Sequence, residues 1–372
     1  MQFSSCDVAI VSQRSSGCPY LDFYQLHLNF IPMKCLQNFR SCKVAFSILT
    51  TFCLSACLAK ADFFVSDSYN DVVDNYDSSG SLVSVSSITG PTGLAIGSDG
   101  NLYVATPYDD GSSIETFNPN TGSPIGTFTS HVSDNDLNNP GGITFDSSGN
   151  LYVADFQSKI LVYNNSGGAH INELTDINLN DPSSLSFDSS GTLYVADGAN
   201  ILSYSGGNFS IVNTPATFSD PHDVGVGLDG NLYVLDISGS TGGIYQLNPT
   251  TGLSLEIVNY STSSFFANDL VAGPDGKLYV SGVGDSGDGE ILQYDENGSY
   301  DGVYLDLGSG SQPTYMAFSP VPEPSALALM SIAGIIATVF GIRRKKSAAS
   351  SGSISCAPVS IASACVASTT PR

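Results

Sequence analysis

Residues 142–155 read GITFDSSGNLYVAD, and this stretch decides the fold. Two apolar runs flank an Asp-Ser-Ser-Gly turn in which Gly149 supplies a residue free to adopt positive φ, as a tight β-hairpin requires. The Leu-Tyr-Val element of the stretch recurs, with starting residues at 102, 151, 193, 232 and 278, so successive copies are 49, 42, 39 and 46 residues apart. Such a period is typical of a propeller or a solenoid, and antiparallel hairpins exclude a parallel β-helix.

Each repeat also contains a second hairpin after its Leu-Tyr-Val strand. In the first copy, Ile114 to Phe117 and Pro124 to Phe128 flank an Asn-Pro-Asn-Thr-Gly turn. Four strands per repeat make one propeller blade. Phe63 to Asp67 lacks a preceding strand, and Thr314 to Ser319 resembles a first strand that lacks partners. The sequence therefore predicts an all-β, six-bladed β-propeller over residues 62–320, closed by its C-terminal strand.

The repeated pattern, Pro-x-Gly-Ile/Leu followed by Asp-x-x-Gly-Asn-Leu-Tyr-Val-Ala-Asp, resembles the NHL repeat and the related gluconolactonase-like and virginiamycin-lyase-like propellers. The resemblance implies the fold, whereas one propeller fold serves many chemistries. For lactonase-like activity it would require Glu, Asn and Asp ligands around one divalent ion in the channel. The Glu residues of the domain all fall in or near outer strands, which favours a non-enzymatic protein over an enzyme of this type.

Charge and cysteine are unevenly distributed. Between Asp62 and Pro324 there are 33 acidic residues and two lysines, so this stretch carries 2 − 33 = −31. A surface of that charge repels phosphate backbones and excludes nucleic-acid binding through a basic patch. All eight cysteines lie outside the stretch, so the domain folds without disulfides and has no thiolate chemistry.

The N-terminal region predicts export. Translation from Met33 would place a basic segment before an apolar run at 44–58, with Ala59-Lys60-Ala61 as a small-x-small cleavage site. We therefore expect a signal peptide over 33–61, ending at Ala61, and we interpret residues 1–32 as a misassigned start or an extension. The alternative is a lipoprotein signal, because Leu-Ser-Ala precedes Cys57 in the manner of a lipobox.

The C-terminal region predicts a membrane anchor. Residues 326–342 are 17 uncharged residues, which as a helix would extend about 26 Å and cross a hydrocarbon core of about 30 Å. The basic residues that follow place the C-terminal side in the cytoplasm and the acidic domain outside. These residues are Arg343, Arg344, Lys345 and Lys346.

The segment 321–346 resembles the PEP-CTERM sorting signal of Gram-negative bacteria that secrete exopolysaccharide. The resemblance rests on Pro322-Glu323-Pro324, the transmembrane helix at 326–342 and the Arg343-Arg344 end. It implies transient anchoring in the inner membrane, processing by an exosortase-type enzyme, and delivery to the cell envelope or the extracellular surface. A low-complexity tail, 347–372, continues beyond the usual end of such a signal.

Several polar residues are predicted to converge on one face around the propeller channel. They could hold Ca²⁺, which prefers several hard oxygen ligands, or one of them could act as a general base. The alternative is that each aspartate at a strand end caps the turn that follows it. The candidates are Asp155, Asp197, His222, Asp223, Asp236 and Asp269.

Two functions remain open from the sequence. The first is a non-enzymatic binding or matrix module at the cell surface, with exopolysaccharide or a surface protein as its partner. The second is a metal-dependent lactonase or lyase that uses Asp197, His222, Asp223 and Asp236.

Overall fold

The structure, a computed structural model, describes residues 61–320 except 108–110, 135, 166, 214–217, 239–241 and 261–264. The predicted signal peptide, with Ala59 of its cleavage site, the sorting signal, the helix at 326–342 and both terminal extensions lie outside the described residues. The signal peptide and the helix stay predictions. Within the described part of the chain, no helix is long and apolar enough to span a membrane.

The described residues form six four-stranded antiparallel sheets, each of which is one blade. Blade 1 contains β1 (Phe63–Asp67), β2 (Val72–Tyr76), β3 (Leu82–Ser87) and β24 (Pro313–Phe318). Blade 2 contains β4 (Leu94–Ile96), β5 (Leu102–Thr106), β6 (Ser113–Phe117) and β7 (Pro124–Ser130). Blade 3 contains β8 (Pro140–Phe145), β9 (Leu151–Asp155), β10 (Lys159–Tyr163) and β11 (His170–Leu174).

The remaining three blades repeat this order. Blade 4 contains β12 (Pro182–Phe187), β13 (Leu193–Asp197), β14 (Asn200–Ser205) and β15 (Asn208–Ile211). Blade 5 contains β16 (Pro221–Val226), β17 (Leu232–Asp236), β18 (Gly243–Leu247) and β19 (Ser254–Asn259). Blade 6 contains β20 (Phe266–Ala272), β21 (Lys277–Val283), β22 (Asp288–Asp295) and β23 (Tyr300–Ser309).

The ring is closed by the C-terminal strand, as the sequence predicts. Strand β24 pairs antiparallel with β1, and Val65 lies opposite Met316. Beyond the strands, the backbone N–H of Ser319 donates to the carbonyl of Asp62 (2.9 Å), and the N–H of Asp62 donates to Ser319 Oγ (2.8 Å). Because blade 1 takes strands from both ends of the domain, the ring has no open blade edge at the junction.

The Leu-Tyr-Val strands fill the spaces between blades. In blade 3, Leu151 and Val153 of β9 are fully buried and pack in one cluster with Tyr103 of blade 2. The Tyr103 ring makes edge-to-face contacts with Phe128 (5.1 Å between centroids) and Phe145 (4.9 Å). Apolar side chains on both faces of each sheet are therefore explained by blade-on-blade packing, which replaces a separate core.

The turn between the first and second strands explains why an aspartate and a glycine recur just before the Leu-Tyr-Val element. In blade 3, Asp146 accepts hydrogen bonds from the backbone N–H groups of Ser148 and Asn150 (2.9 and 2.8 Å), and Gly149 has φ of +82°. In blade 2, the Tyr103 hydroxyl donates to the turn aspartate Asp99 (3.1 Å). The turn aspartate thus fixes the hairpin register. In blades 2, 4, 5 and 6 it also accepts a hydrogen bond from the hydroxyl of the tyrosine that follows.

The ring has two ends that differ in their connections. On the loop face, the first and third strands of each blade begin and the connections between blades run. On the turn face, the first and third strands end in short turns. The two ends of the propeller domain meet on the turn face, where Asp62 and Ser319 are hydrogen-bonded to each other.

Candidate functional site

The aspartates at the ends of the second strands bind the loops of the loop face. Asp155 is fully buried, and its carboxylate accepts hydrogen bonds from the backbone N–H groups of Asn138 (2.8 Å) and Gln157 (3.0 Å). Asp197, also fully buried, accepts from the N–H groups of Asn180 (2.9 Å) and Asp181 (2.6 Å). Burial raises the pKa of Asp197 above its ordinary value, and the N–H donors of Asn180 and Asp181 offset only part of this rise.

Asp236 repeats this arrangement in blade 5. Its buried carboxylate accepts from the N–H groups of Ser219 (2.9 Å) and Ser238 (2.9 Å). One carboxylate therefore holds both the loop that enters the first strand and the turn that leaves the second. These three predicted site residues each accept hydrogen bonds from backbone of their own blade.

The inner strands β4, β8, β12, β16, β20 and β24 line a central channel with a cavity of about 330 Å³. One residue at the start of each inner strand, or just before it in β4, occupies a corresponding position in every blade, and these residues define one level of the ring. Going round the ring from blade 2, they are Gly93, Gly142, Ser184, Asp223, Asp269 and Tyr315, and all but Gly93 line the cavity.

The two glycines of this level are required by close backbone approach. A Cβ on Gly93 would lie 2.2 Å from the carbonyl oxygen of Gly141, and one on Gly142 would lie 2.8 Å from that of Ser183. Side chains cannot fit there without moving the neighbouring strand. The level therefore contains two adjacent glycines, in blades 2 and 3, and four polar residues in the other blades.

Asp223 makes the most hydrogen bonds among the four polar residues of this level. Its buried carboxylate accepts hydrogen bonds from the hydroxyl of Ser184 and from the backbone N–H groups of Val224 (2.6 Å) and Leu270 (2.7 Å). These donors belong to blades 4, 5 and 6, so one side chain joins three blades across the wall of the channel.

Asp269 lies beside Asp223 and continues this connection. Its buried carboxyl accepts from the backbone N–H of Met316 in β24 (2.8 Å) and is hydrogen-bonded to Asp223. Burial, followed by the neighbouring Asp223 carboxylate, raises the pKa of Asp269 well above its usual range. Asp223 accepts hydrogen bonds from one hydroxyl and two backbone N–H groups, which favour its charged form, so we assign the proton of this pair to Asp269, which donates it to Asp223. Burial and the same two carboxyls also raise the pKa of Tyr315.

His222 precedes Asp223 in sequence but lies elsewhere. It is half-buried, and its backbone carbonyl accepts a hydrogen bond from Ser183 Oγ (2.7 Å). It is close enough to Asp181 to lower the pKa of that carboxyl, whereas burial and the Asp220 carboxylate raise it. Of the six predicted site residues, Asp223 and Asp269 are thus the two that are hydrogen-bonded to each other.

A second polar group was not found from the sequence. Ligand atoms of Asp134, Asp136 and His170 lie within 4.8 Å of one another, a spacing that could suit a metal ion. Each residue has protein partners. Tyr163 donates to Asp134 (2.7 Å), Lys159 lies 3.5 Å from Asp136, and the two ring nitrogens of His170 contact Asp134 (3.1 Å) and the carbonyl of Asn172 (2.9 Å). No sequence motif predicts this group, because the two aspartates lie in the connection between β7 and β8, whereas His170 is the first residue of β11.

Known proteins resemble the chain in two places, the segment 320–345 and the propeller domain. Residues 320–345 match the PEP-CTERM protein-sorting motif. No curated protein matches the chain. Among solved structures, similar folds occur in a nidogen/laminin complex (16% identity, TM-score 0.57, 71% of this chain and 99% of that chain) and in virginiamycin B lyase from Staphylococcus aureus (16%, 0.52, 70% and 89%). A protein of unknown function from Bacteroides caccae is also similar (14%, 0.53, 70% and 98%).

At these identities the structural likeness establishes the fold alone. The sorting motif implies export, processing by an exosortase and sorting to the membrane or cell envelope of a Gram-negative bacterium. The chain is therefore a six-bladed β-propeller that carries a PEP-CTERM sorting motif.

Proposed function

We propose that this protein is a non-enzymatic binding module of the cell surface and that it binds a protein partner through its loop face. The observation that carries the proposal is the position of its most exposed apolar side chains. The four most exposed large apolar residues in the described part of the chain all lie on that face. They are Ile177 (93% exposed), Val132 (90%), Phe266 (73%) and Tyr69 (67%).

Ordered turns present two of these side chains. The turn around Ile177 is closed by the N–H of Asn178, which donates to Asp176 Oδ1 (2.9 Å). The turn around Val132 is closed by the N–H of Asp134, which donates to the carbonyl of Ser130 (2.8 Å). Aliphatic side chains held in water by fixed turns lose little further entropy on contact, which favours a role in binding.

The position of the chain ends supports the same face. Asp62 and Ser319 lie on the turn face, and the sorting motif starts at residue 320. An anchor joined to this end is attached away from the loop face, so attachment and binding would use opposite ends of the ring.

Charge favours a protein over an acidic exopolysaccharide as the partner. Both lysines among the described residues are paired with carboxylates: Lys159 with Asp136, and Lys277 with Asp295 and Asp301. An anionic polymer would meet a surface with no unpaired lysine in this part of the chain, and it would be repelled. A protein surface with apolar and basic side chains would complement both the exposed apolar side chains of the loop face and the acidic charge of the domain.

The test is capture of envelope components by the exported, processed protein. Ile177→Ser and Val132→Ser should reduce capture of a protein partner at least tenfold, because each removes an exposed contact without touching the core. Leu253→Ser is the matched control, since Leu253 is 66% exposed but lies on the turn face. Equal capture by all three variants would refute a loop-face site. Capture of polysaccharide in place of protein would refute the partner class.

One observation favours the second function, a lactonase or lyase. The neutral Asp269 carboxyl lies on the wall of the channel cavity, where it could serve as a general acid. Asp223 is a poor base beside it, because its oxygens already accept from three donors and from Asp269. Calorimetric titration with Ca²⁺ and Zn²⁺ decides this alternative, since no heat and no change in melting temperature would remove a metal-dependent enzyme.

A further inference from the structure

We propose that the Asp223–Asp269 pair is a proton-operated clasp for ring closure: while it holds one proton it fastens the closing strand β24, and loss of that proton loosens β24. The pair bridges consecutive blades, because Asp223 accepts from the N–H of Leu270 in blade 6 and Asp269 accepts from the N–H of Met316 in blade 1. Leu270 directly follows Asp269, so the two carboxyls are adjacent through the backbone as well as through their shared proton.

The clasp acts on the closing strand itself. Met316 lies opposite Val65 in the β1–β24 pairing, and it is buried in a cluster with Phe63 and Val65. Strand β24 is held on its other side by blade 6 through Asp269. Any change that moves the Asp269 carboxyl away from Met316 therefore removes a hydrogen bond at the junction of the two chain ends.

The groups around Asp269 do little to stabilise a second negative charge on the Asp223–Asp269 pair. Strand β16 presents Asp223, and β24 presents Tyr315. Strand β21 presents Ser281, which lies opposite Asp269 and whose buried Oγ has no hydrogen-bond partner. Strand β17 places Leu235 opposite Asp223. Among the groups that act on Asp269, none is a cation. Two carboxylates in this setting would repel each other at close range.

The sign follows from the raised pKa of Asp269. The folded protein keeps a proton that the unfolded chain releases above its ordinary pKa of 3.8. Stability from this group is therefore complete below that value and is lost as pH rises toward the folded pKa. The clasp is closed in acid and weakened in alkali.

The experiment is hydrogen exchange of the exported protein between pH 6 and pH 9, with rates corrected for the intrinsic pH dependence of exchange. Strand β24 (Pro313–Phe318) should lose protection by about tenfold per pH unit while the folded pair still keeps its proton, because each opening of the strand then releases one proton, and the loss should level off where the pair itself ionises. Strand β8 (Pro140–Phe145) is the internal control, because its residue at the same level is Gly142.

A variant separates the clasp from general alkaline loosening. Asp269→Asn keeps a donor to Asp223 and an acceptor for Met316 but cannot ionise, so protection of β24 should no longer depend on pH beyond the trend of β8. The proposal is overturned if β24 and β8 lose protection in parallel in the wild-type protein, a comparison that does not depend on the variant folding. It is also overturned if Asp269→Asn retains the pH-dependent loss.

Discussion

Replacing each member of the buried carboxyl pair by asparagine should have opposite consequences, although both replacements conserve shape. In Asp223→Asn, an NH₂ group replaces one of two oxygens that accept from Ser184, Val224 and Leu270. In either orientation, a buried N–H then faces another donor. An unsatisfied buried donor costs about 1–3 kcal/mol. At about 2–4 °C per kcal/mol for a domain of this size, the melting temperature should fall by about 2–12 °C.

Asp269→Asn should be tolerated because its NH₂ replaces the proton that Asp269 donates to Asp223, and its oxygen still accepts from Met316. The variant also removes the need to keep a proton at neutral pH, so its stability should equal or exceed that of the wild-type protein at pH 8. Thermal unfolding followed by circular dichroism at pH 6 and pH 8 measures both variants. Equal loss of stability in the two variants, or a larger loss in Asp269→Asn, would refute the assignment of the proton to Asp269.

Three further predictions concern other parts of the ring. Burial and Asp99 raise the pKa of Tyr103 to about 12, so the stability that this neutral phenol contributes should be lost between pH 10 and pH 12. In Tyr103→Phe, ultraviolet titration should show one fewer tyrosine that ionises above pH 10. Asp197→Asn should lower the free energy of unfolding by about 1–3 kcal/mol, measured by urea denaturation, because an amide NH₂ would face the N–H of Asn180 or Asp181; an unchanged midpoint would contradict its loop-holding role. A chain that stops after residue 312 lacks β24 and should lose the single cooperative transition seen in calorimetry, whereas a chain that stops after residue 320 should keep it.

The repeats allowed the fold to be predicted in detail because each blade is a local unit. Asp146, Gly149 and the Leu-Tyr-Val strand that follows are close in sequence, and their turn and hairpin form within one repeat. Blade number and closure by β24 followed from counting five whole repeats and finding three strands of a sixth at the N-terminal end of the domain and one strand at its C-terminal end. The recurrence of an aspartate after each second strand also indicated a local capping role, and Asp155, Asp197 and Asp236 do bind the loops beside them.

The candidate site could be predicted only as a set of residues. Asp223 and Asp269 are one repeat apart, and nothing in either repeat states that their carboxyls meet across the wall of the channel. The group of Asp134 and His170 likewise forms only when a connection packs against blade 3.

The sequence by itself determined the six-bladed ring, its acidic charge and the sorting motif, because these depend on local pattern and composition. Tertiary structure alone decided which aspartate keeps a proton and which apolar side chains remain in water. The physical reason is that desolvation and charge interaction depend on which blades lie side by side, whereas each repeat encodes only its own strands and turns.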